Sequence, residues 1–159
     1  MSTRITSIFT RKKKIALLID GPNILRKEFN IKLEELREIA EKYGKVQIGK
    51  VYLNQYAPQK LAEAVSNSGF SPEIVSYDIH IVMALDAISF LKNKKVDLIA
   101  IASRHARCVP ILRKLREEGV ETLVMGFDPG FSVALKNTAD FYEEISVKTY
   151  NGNNNNRKS

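Results

Sequence analysis

The chain has 159 residues, 44% of them apolar, a formal charge of +7 and a single cysteine, Cys108. That length suits one domain with a substantial core, and one cysteine excludes an internal disulfide framework or a zinc site built from cysteines. The positive excess sits at the ends, in Arg4, Arg11, Lys12, Lys13, Lys14, Arg157 and Lys158, while residues 15–150 balance 18 basic against 18 acidic side chains, so the body does not by itself advertise a nucleic-acid platform.

No apolar stretch of signal-peptide length opens the chain, and the basic residues 11–14 lead straight into a strand. A soluble, cytoplasmic protein without membrane association is expected. Residues 1–13 read as a basic arm, 14–148 as the domain, and 149–159 as a disordered Asn-rich tail that cannot bury enough apolar surface to order itself.

Residues 15–19 are five apolar side chains without polar alternation, the pattern of a strand buried on both faces of a parallel sheet. The run ends at Asp20, after which Gly21-Pro22 turns the chain, so Asp20 and Asn23 should project from the carboxyl edge of the sheet. Open α/β folds bind their ligands there. The plain alternative is that Asp20 caps the turn. After a short connection over 25–30, Ile31, Leu33, Leu36, Ile39 and Ala40 mark an amphipathic helix that stops at Gly44.

A second strand is predicted over 46–54, and a helix opened by Pro58 and closed by Gly69 follows it. Next come a short strand over 73–77 and a helix over 78–91 with Ile81, Val82, Leu85, Ile88 and Leu91 as its apolar positions. Residues 96–102 form the second strongly apolar run and hence a second central strand. Residues 103–108 make a loop and helix start, 109–118 the helix, with Pro110 in its first turn. A strand over 120–126, a turn at 128–130, a short helix over 132–137 and a last strand over 141–145 complete the alternation. Strands and helices in turn imply a three-layer α/β/α sandwich around a mostly parallel sheet. No GxxxxGK[ST] or GxGxxG follows the first strand, so a common nucleotide site is not supported.

In that architecture one cleft can gather Asp20 and Asn23; Ser103, Arg104, His105 and Arg107; and Asp78, His80 or Asp86 near the third strand. Two carboxylates and an amide could hold a hydrated Mg²⁺ or Mn²⁺ when phosphate completes the shell. Other prominent residues read as structural: Met83 and Met125 as core, and Cys108 as a small buried side chain. Lys92, Lys94 and Lys95 form a basic bend, and Tyr52, Tyr56 and Tyr77 at strand ends are either core or stacking surfaces for a base.

These residues carry a resemblance. The chain resembles the NYN domain family, a branch of the PIN-like nucleases, and in particular its small archaeal members. The similar segments are Leu17-Leu18-Ile19-Asp20-Gly21-Pro22-Asn23, Val51-Tyr52-Leu53-Asn54-Gln55, residues 78–87, residues 103–110, and Gly130-Phe131-Ser132 through Ala139-Asp140. The resemblance implies a PIN-like fold and metal-dependent endoribonuclease chemistry, with clustered carboxylates holding one or two divalent ions that activate water against a phosphodiester. It matches Asp20, Asn23 and Asp86 to family site positions, with Asp20 and Asp86 as metal ligands, and places Asp140 as the last family acid or a structural cap.

This chain departs from the pattern at three positions. His80 stands six residues before Asp86 where the family commonly has Asp, and the acidic loop after the fourth strand is here Ser103-Arg104-His105-Ala106-Arg107. A guanidinium cannot ligate Mg²⁺ and attracts phosphate instead. Weak or absent Mg²⁺ or Mn²⁺ binding is therefore expected, with RNA as the partner, Asn23, His80, Ser103, Arg104 and Arg107 on the binding surface, and a homodimer as the assembly if there is one. The alternatives are an active endoribonuclease, using one metal at Asp20 and Asp86 or His80 and His105 as acid and base, and a non-catalytic protein scaffold. The two histidines could also hold a softer ion such as Zn²⁺ with Asp20, or be drifted surface residues.

Overall fold

The computed structural model describes residues 11–93 and 96–147. Most of the expected basic arm, the Asn-rich tail, and Lys94 and Lys95 of the basic bend lie outside the described residues. Six strands, β1 (Lys14–Asp20), β2 (Lys45–Asn54), β3 (Ser71–Val75), β4 (Leu98–Ala102), β5 (Glu121–Gly126) and β6 (Phe141–Glu144), form one sheet. Their order is β3-β2-β1-β4-β5-β6, and every pairing is parallel. The α/β sandwich read from the sequence is the fold, with a sheet that is wholly rather than mostly parallel.

Among the described residues six helices cover the sheet: α1 (Gly21–Ile24, a single turn), α2 (Leu33–Glu41), α3 (Gln59–Asn67), α4 (Ile79–Lys92), α5 (Val109–Glu117) and α6 (Val133–Thr138). Alternate side chains of β1 divide the core. Ile15, Leu17 and Ile19 pack with Leu36 of α2 and Val65 of α3 on one face; Ala16 and Leu18 pack with Met83 of α4 and Leu112 of α5 on the other. Residues 15–19 are all fully buried, as a continuous apolar run in the middle of a parallel sheet must be. None of the described helices is long and apolar enough to cross a membrane.

Local signals fix most boundaries. Gly69 ends α3 at φ +84°, Pro110 occupies the first turn of α5, and Ser132 caps α6 by accepting from the Leu135 N–H. The third strand starts two residues before the expected position, at Ser71. The fourth starts two after it, at Leu98, because Asp97 turns aside to accept from the Lys14 N–H at 2.8 Å. Arg11 also pairs with Asp97, and Lys13 with Glu121, at the amino edge of the sheet. These basic residues therefore stand at the opposite edge from Asp20.

The face that α4 buries differs from the expected one. Ile79, Met83, Ala87 and Phe90 point inward, while Ile81 and Leu85 are 60% and 66% exposed. Because α4 is apolar nearly all round, its periodicity cannot choose a face. Two polar anchors choose it: His80 reaches Asp20 on β1, and Asp86 reaches Lys50 and Tyr52 on β2. Met83→Ala should therefore destabilise by about 2–3 kcal/mol through the cavity it leaves, whereas Leu85→Ala should fall within about 0.5 kcal/mol of the parent. Urea denaturation of both variants checks this, and a larger loss for Leu85→Ala would mean that its side is covered in solution.

Candidate functional site

The crevice lies where the strand order reverses, between the carboxyl ends of β1 and β4, the position at which doubly wound sheets leave room for a ligand. β1 ends in Asp20, 3% exposed although it is a carboxylate, and α1 begins at once. β4 runs into Ser103, fully buried, and then a 3₁₀ turn over Ala106–Cys108 that feeds α5. From the far side, α4 starts at the cap residue Asp78, whose carboxylate accepts from the His80 N–H at 2.9 Å.

Asp20 Oδ2 is the hub. It accepts from Ser103 Oγ at 2.9 Å and lies 2.9 Å from His80 Nε2. The other ring nitrogen of His80, Nδ1, faces Asp78 Oδ1 at 3.3 Å. With a carboxylate at each nitrogen the imidazolium is favoured: the Asp20 hydrogen bond raises the His80 pKa above its usual value against the opposing effect of burial, and the charges of Asp20 and Asp78 add to it. The His80 amide and the charges of His80 and Arg107 hold the Asp78 carboxyl below its usual range.

His105 and Arg107 form the outer rim. The His105 ring lies 5.5 Å from that of His80, and its Nδ1 accepts from the Arg107 N–H at 3.1 Å, so in the neutral ring Nε2 carries the proton. Arg107 is 62% exposed and bonds Asp78 Oδ2 at 3.1 Å. Beneath them the Cys108 side chain is fully buried, and burial pushes its thiol up to about 12, which removes it as a nucleophile. Ligand atoms of Asp20, His80 and Cys108 nevertheless converge within 4.8 Å of one another.

Several expected site residues stand elsewhere. Asp86 lies six residues after His80, about 9 Å further along the helix, where its carboxylate accepts from Tyr52 Oη at 2.6 Å and pairs with Lys50 at 3.0 Å. It belongs to a Tyr52–Asp86–Lys50–Glu73 network under β2 and β3 and does not join Asp20. Arg104 is 8% exposed, its guanidinium over the rings of Phe29 and Phe127 at 4.6 and 4.7 Å, with Nη2 donating to Asn23 O. It is an internal strut and cannot meet a phosphate. The Asn23 amide oxygen accepts from the Arg104 N–H at 2.8 Å, so it ties the β1 and β4 loops together. Asp140 accepts from Thr122 N and Oγ1 at the amino end of β5 and pairs with Arg116, which makes it a structural cap at the far edge.

The sequence named Asp20, His80, Ser103, His105 and Arg107, which the fold brings together. It missed Cys108 as their neighbour, for which the available signal was its position on the first helical turn after β4, five residues beyond Ser103.

The charge state of His80 can be checked directly. In chelator-treated protein its ring resonances should titrate above 6.5 and return toward that value in Asp20→Asn, as followed by NMR with His105→Gln to assign the second histidine. Because the folded value is the higher one, its stabilisation is complete below 6.5 and fades as the pH rises through the elevated value. An unchanged titration in Asp20→Asn would mean that the 2.9 Å contact does not set the charge.

Comparison with known proteins places the site in context. The NYN domain family model matches residues 14–146. An uncharacterized protein of Methanocaldococcus jannaschii is 50% identical over 139 residues; the match covers 85% of this chain and 58% of that protein, so the chain spans little more than half of its relative. A crystal structure of a Vibrio parahaemolyticus protein of unknown function superimposes with a TM-score of 0.74 at 20% identity, covering 86% of this chain and 94% of that one, which is a likeness of fold.

Proposed function

The chain belongs to the NYN domain family, and from that premise we propose that it is an RNA-binding protein on a nuclease-type fold whose acidic metal site is degenerate, acting in RNA processing or turnover. The observation that carries this reading is the Asp20–His80 contact at 2.9 Å. Where the family chemistry calls for a divalent cation among carboxylates, an imidazolium supplied by the chain itself neutralises the one buried carboxylate.

The residues do not fit Mg²⁺ or Mn²⁺ of the family type. Hard cations require several oxygen donors. Among the described residues Asp20 is the only buried carboxylate of the crevice, Asp86 is held by Lys50 and Tyr52, and Asp78 is shared between His80 and Arg107.

The same groups suit a phosphodiester. The Arg107 guanidinium can exchange Asp78 for phosphate oxygens, bidentately and with charge assistance, while Asp20, itself held by Ser103, anchors His80 below it. Tyr77 and Tyr56 are 87% and 84% exposed beside the carboxyl ends of β3 and β2, as stacking surfaces for unpaired bases. Next to Tyr56 lies a hollow of about 410 Å³ lined by Pro22, Leu25, Arg26 and Asn54.

Binding of single-stranded RNA in EDTA, followed by fluorescence anisotropy at several salt concentrations, tests the reading. Arg107→Glu should weaken affinity about tenfold and reduce the salt slope by about one, Tyr77→Ala should weaken it at every salt concentration, and neither the parent nor Asp20→Asn should cut the RNA. No affinity even at low salt would leave the scaffold reading. The 5.5 Å approach of the His80 and His105 rings favours a second reading, cleavage by acid and base without a metal. Cleavage in EDTA that disappears in His80→Gln would establish it in place of binding alone.

A further inference from the structure

We propose that Asp20, His80 and Cys108 form a mononuclear site for a borderline transition ion of the Zn²⁺ class, in a crevice whose carboxylate count is too low for Mg²⁺. The proposal shares the crevice with the RNA-binding reading and goes beyond it, since it holds whether or not RNA binds.

The donor set is one carboxylate oxygen, one imidazole nitrogen and one sulfur, all within 4.8 Å. Sulfur with imidazole selects Zn²⁺ or Co²⁺ over Mg²⁺ or Ca²⁺. Tetrahedral bonds of about 2.0 Å to nitrogen or oxygen and about 2.3 Å to sulfur put neighbouring ligand atoms about 3.3 to 3.7 Å apart. The 2.9 Å separation of Asp20 Oδ2 and His80 Nε2 would open slightly, and the sulfur would close by about 1.3 Å at most.

The surroundings are those of a metal-bound histidine. A ligating imidazole almost always gives its other N–H to a carboxylate, which fixes ring and tautomer. Here His80 turns Nε2 toward Asp20 and Nδ1 toward Asp78 Oδ1 at 3.3 Å, and Asp78 is itself held by Arg107. Ser103 Oγ donates to Asp20, so a buried hydroxyl orients the carboxylate donor.

Charge balances as well. On binding, the Nε2 proton of His80 and the thiol proton of Cys108 leave to solvent, and a divalent ion with one carboxylate, one thiolate and one neutral imidazole makes a centre of zero net charge. That suits a site where Asp20 is 3% exposed and Cys108 fully buried. The partly exposed His80 leaves a fourth position toward the rim for water or a phosphate oxygen. His105 is not the fourth ligand, because its Nδ1 already accepts from the Arg107 N–H, which leaves the proton on Nε2.

The test is a Co²⁺ titration of the full chain, reduced and stripped of metal, without RNA. The expected result is one Co²⁺ per chain with visible bands of tetrahedral intensity and a near-ultraviolet sulfur-to-cobalt charge-transfer band, all displaced by Zn²⁺. With a single cysteine in the chain, that band can come only from Cys108, so the unmodified protein already decides the matter. Cys108→Ser should lose the band and bind at least tenfold more weakly, Cys108→Ala should do the same with packing preserved, and His80→Gln should bind at least a hundredfold more weakly. Circular dichroism confirms that each variant is folded. Absence of saturable binding, a weak octahedral spectrum without charge transfer, or binding unchanged in Cys108→Ser and His80→Gln would each overturn the proposal. RNA affinity in EDTA, measured separately, distinguishes failure of this site from failure of the RNA-binding reading.

Discussion

Gly21→Ala should lower stability by about 3 kcal/mol, a large effect for a single added methyl group. A β-carbon at position 21 would sit 2.4 Å from the Tyr52 carbonyl oxygen and 2.8 Å from Leu53 Cδ2. The first of these is backbone in the strand paired with β1, so neither a rotamer change nor a swing of a flexible side chain can relieve it. Relief requires α1 to move off β2, and Asp20, immediately before it, would move too. The variant should therefore lose both stability and the Asp20–His80 contact. Chemical denaturation gives the first and the His80 titration the second. A loss below about 1 kcal/mol would show that the two backbones can part without disturbing the sheet.

Arg104→Ala should cost about 3 kcal/mol, because three favourable features disappear together. Two aromatic faces lose their cation, the carbonyls of Asn23 and Pro129 lose a donor, and a cavity opens beside Phe29 and Phe127. Its Nε has no hydrogen-bond partner, and burial lowers its pKa, so the strut is already under some electrostatic penalty. Arg104→Met, which keeps the volume, should recover a good part of the loss. Folded Arg104→Ala should bind RNA nearly as the parent does, whereas Arg107→Glu should keep the parent's stability and lose affinity. The reverse pattern would exchange the roles of the two arginines.

The two arginines show where a sequence stops informing. Both stand in one five-residue loop, both carry the same charge, and nothing in Ser103-Arg104-His105-Ala106-Arg107 says which faces solvent. The 3₁₀ turn after His105 decides it, by sending Arg104 under Phe29 and leaving Arg107 at the rim. The inner strands β1 and β4 were legible because burial on both faces writes an unbroken apolar run, and α2 because one exposed face writes a clear period. The apolar helix α4 has no such period, so its rotation, and with it the division of labour between His80 and Asp86, depended on partners in β1 and β2. The sequence marks Gly21 as part of a turn, and its close approach to β2 is not legible there. In the structure it is the point where two backbones touch.

The place of β1 in the sheet also governs the order in which the molecule can be built. Asp20 finds its partners His80 and Ser103 at 60 and 83 positions further along the chain, so the crevice closes a long loop. The units β1, β2 and β3 can pair while the second half is still unmade, and until β4 arrives β1 presents an open, wholly apolar edge. Such an edge invites pairing with another chain. Refolding of this domain should accordingly be slow and sensitive to protein concentration. The crevice itself, drawn from both halves, is complete only in a chain that has finished folding.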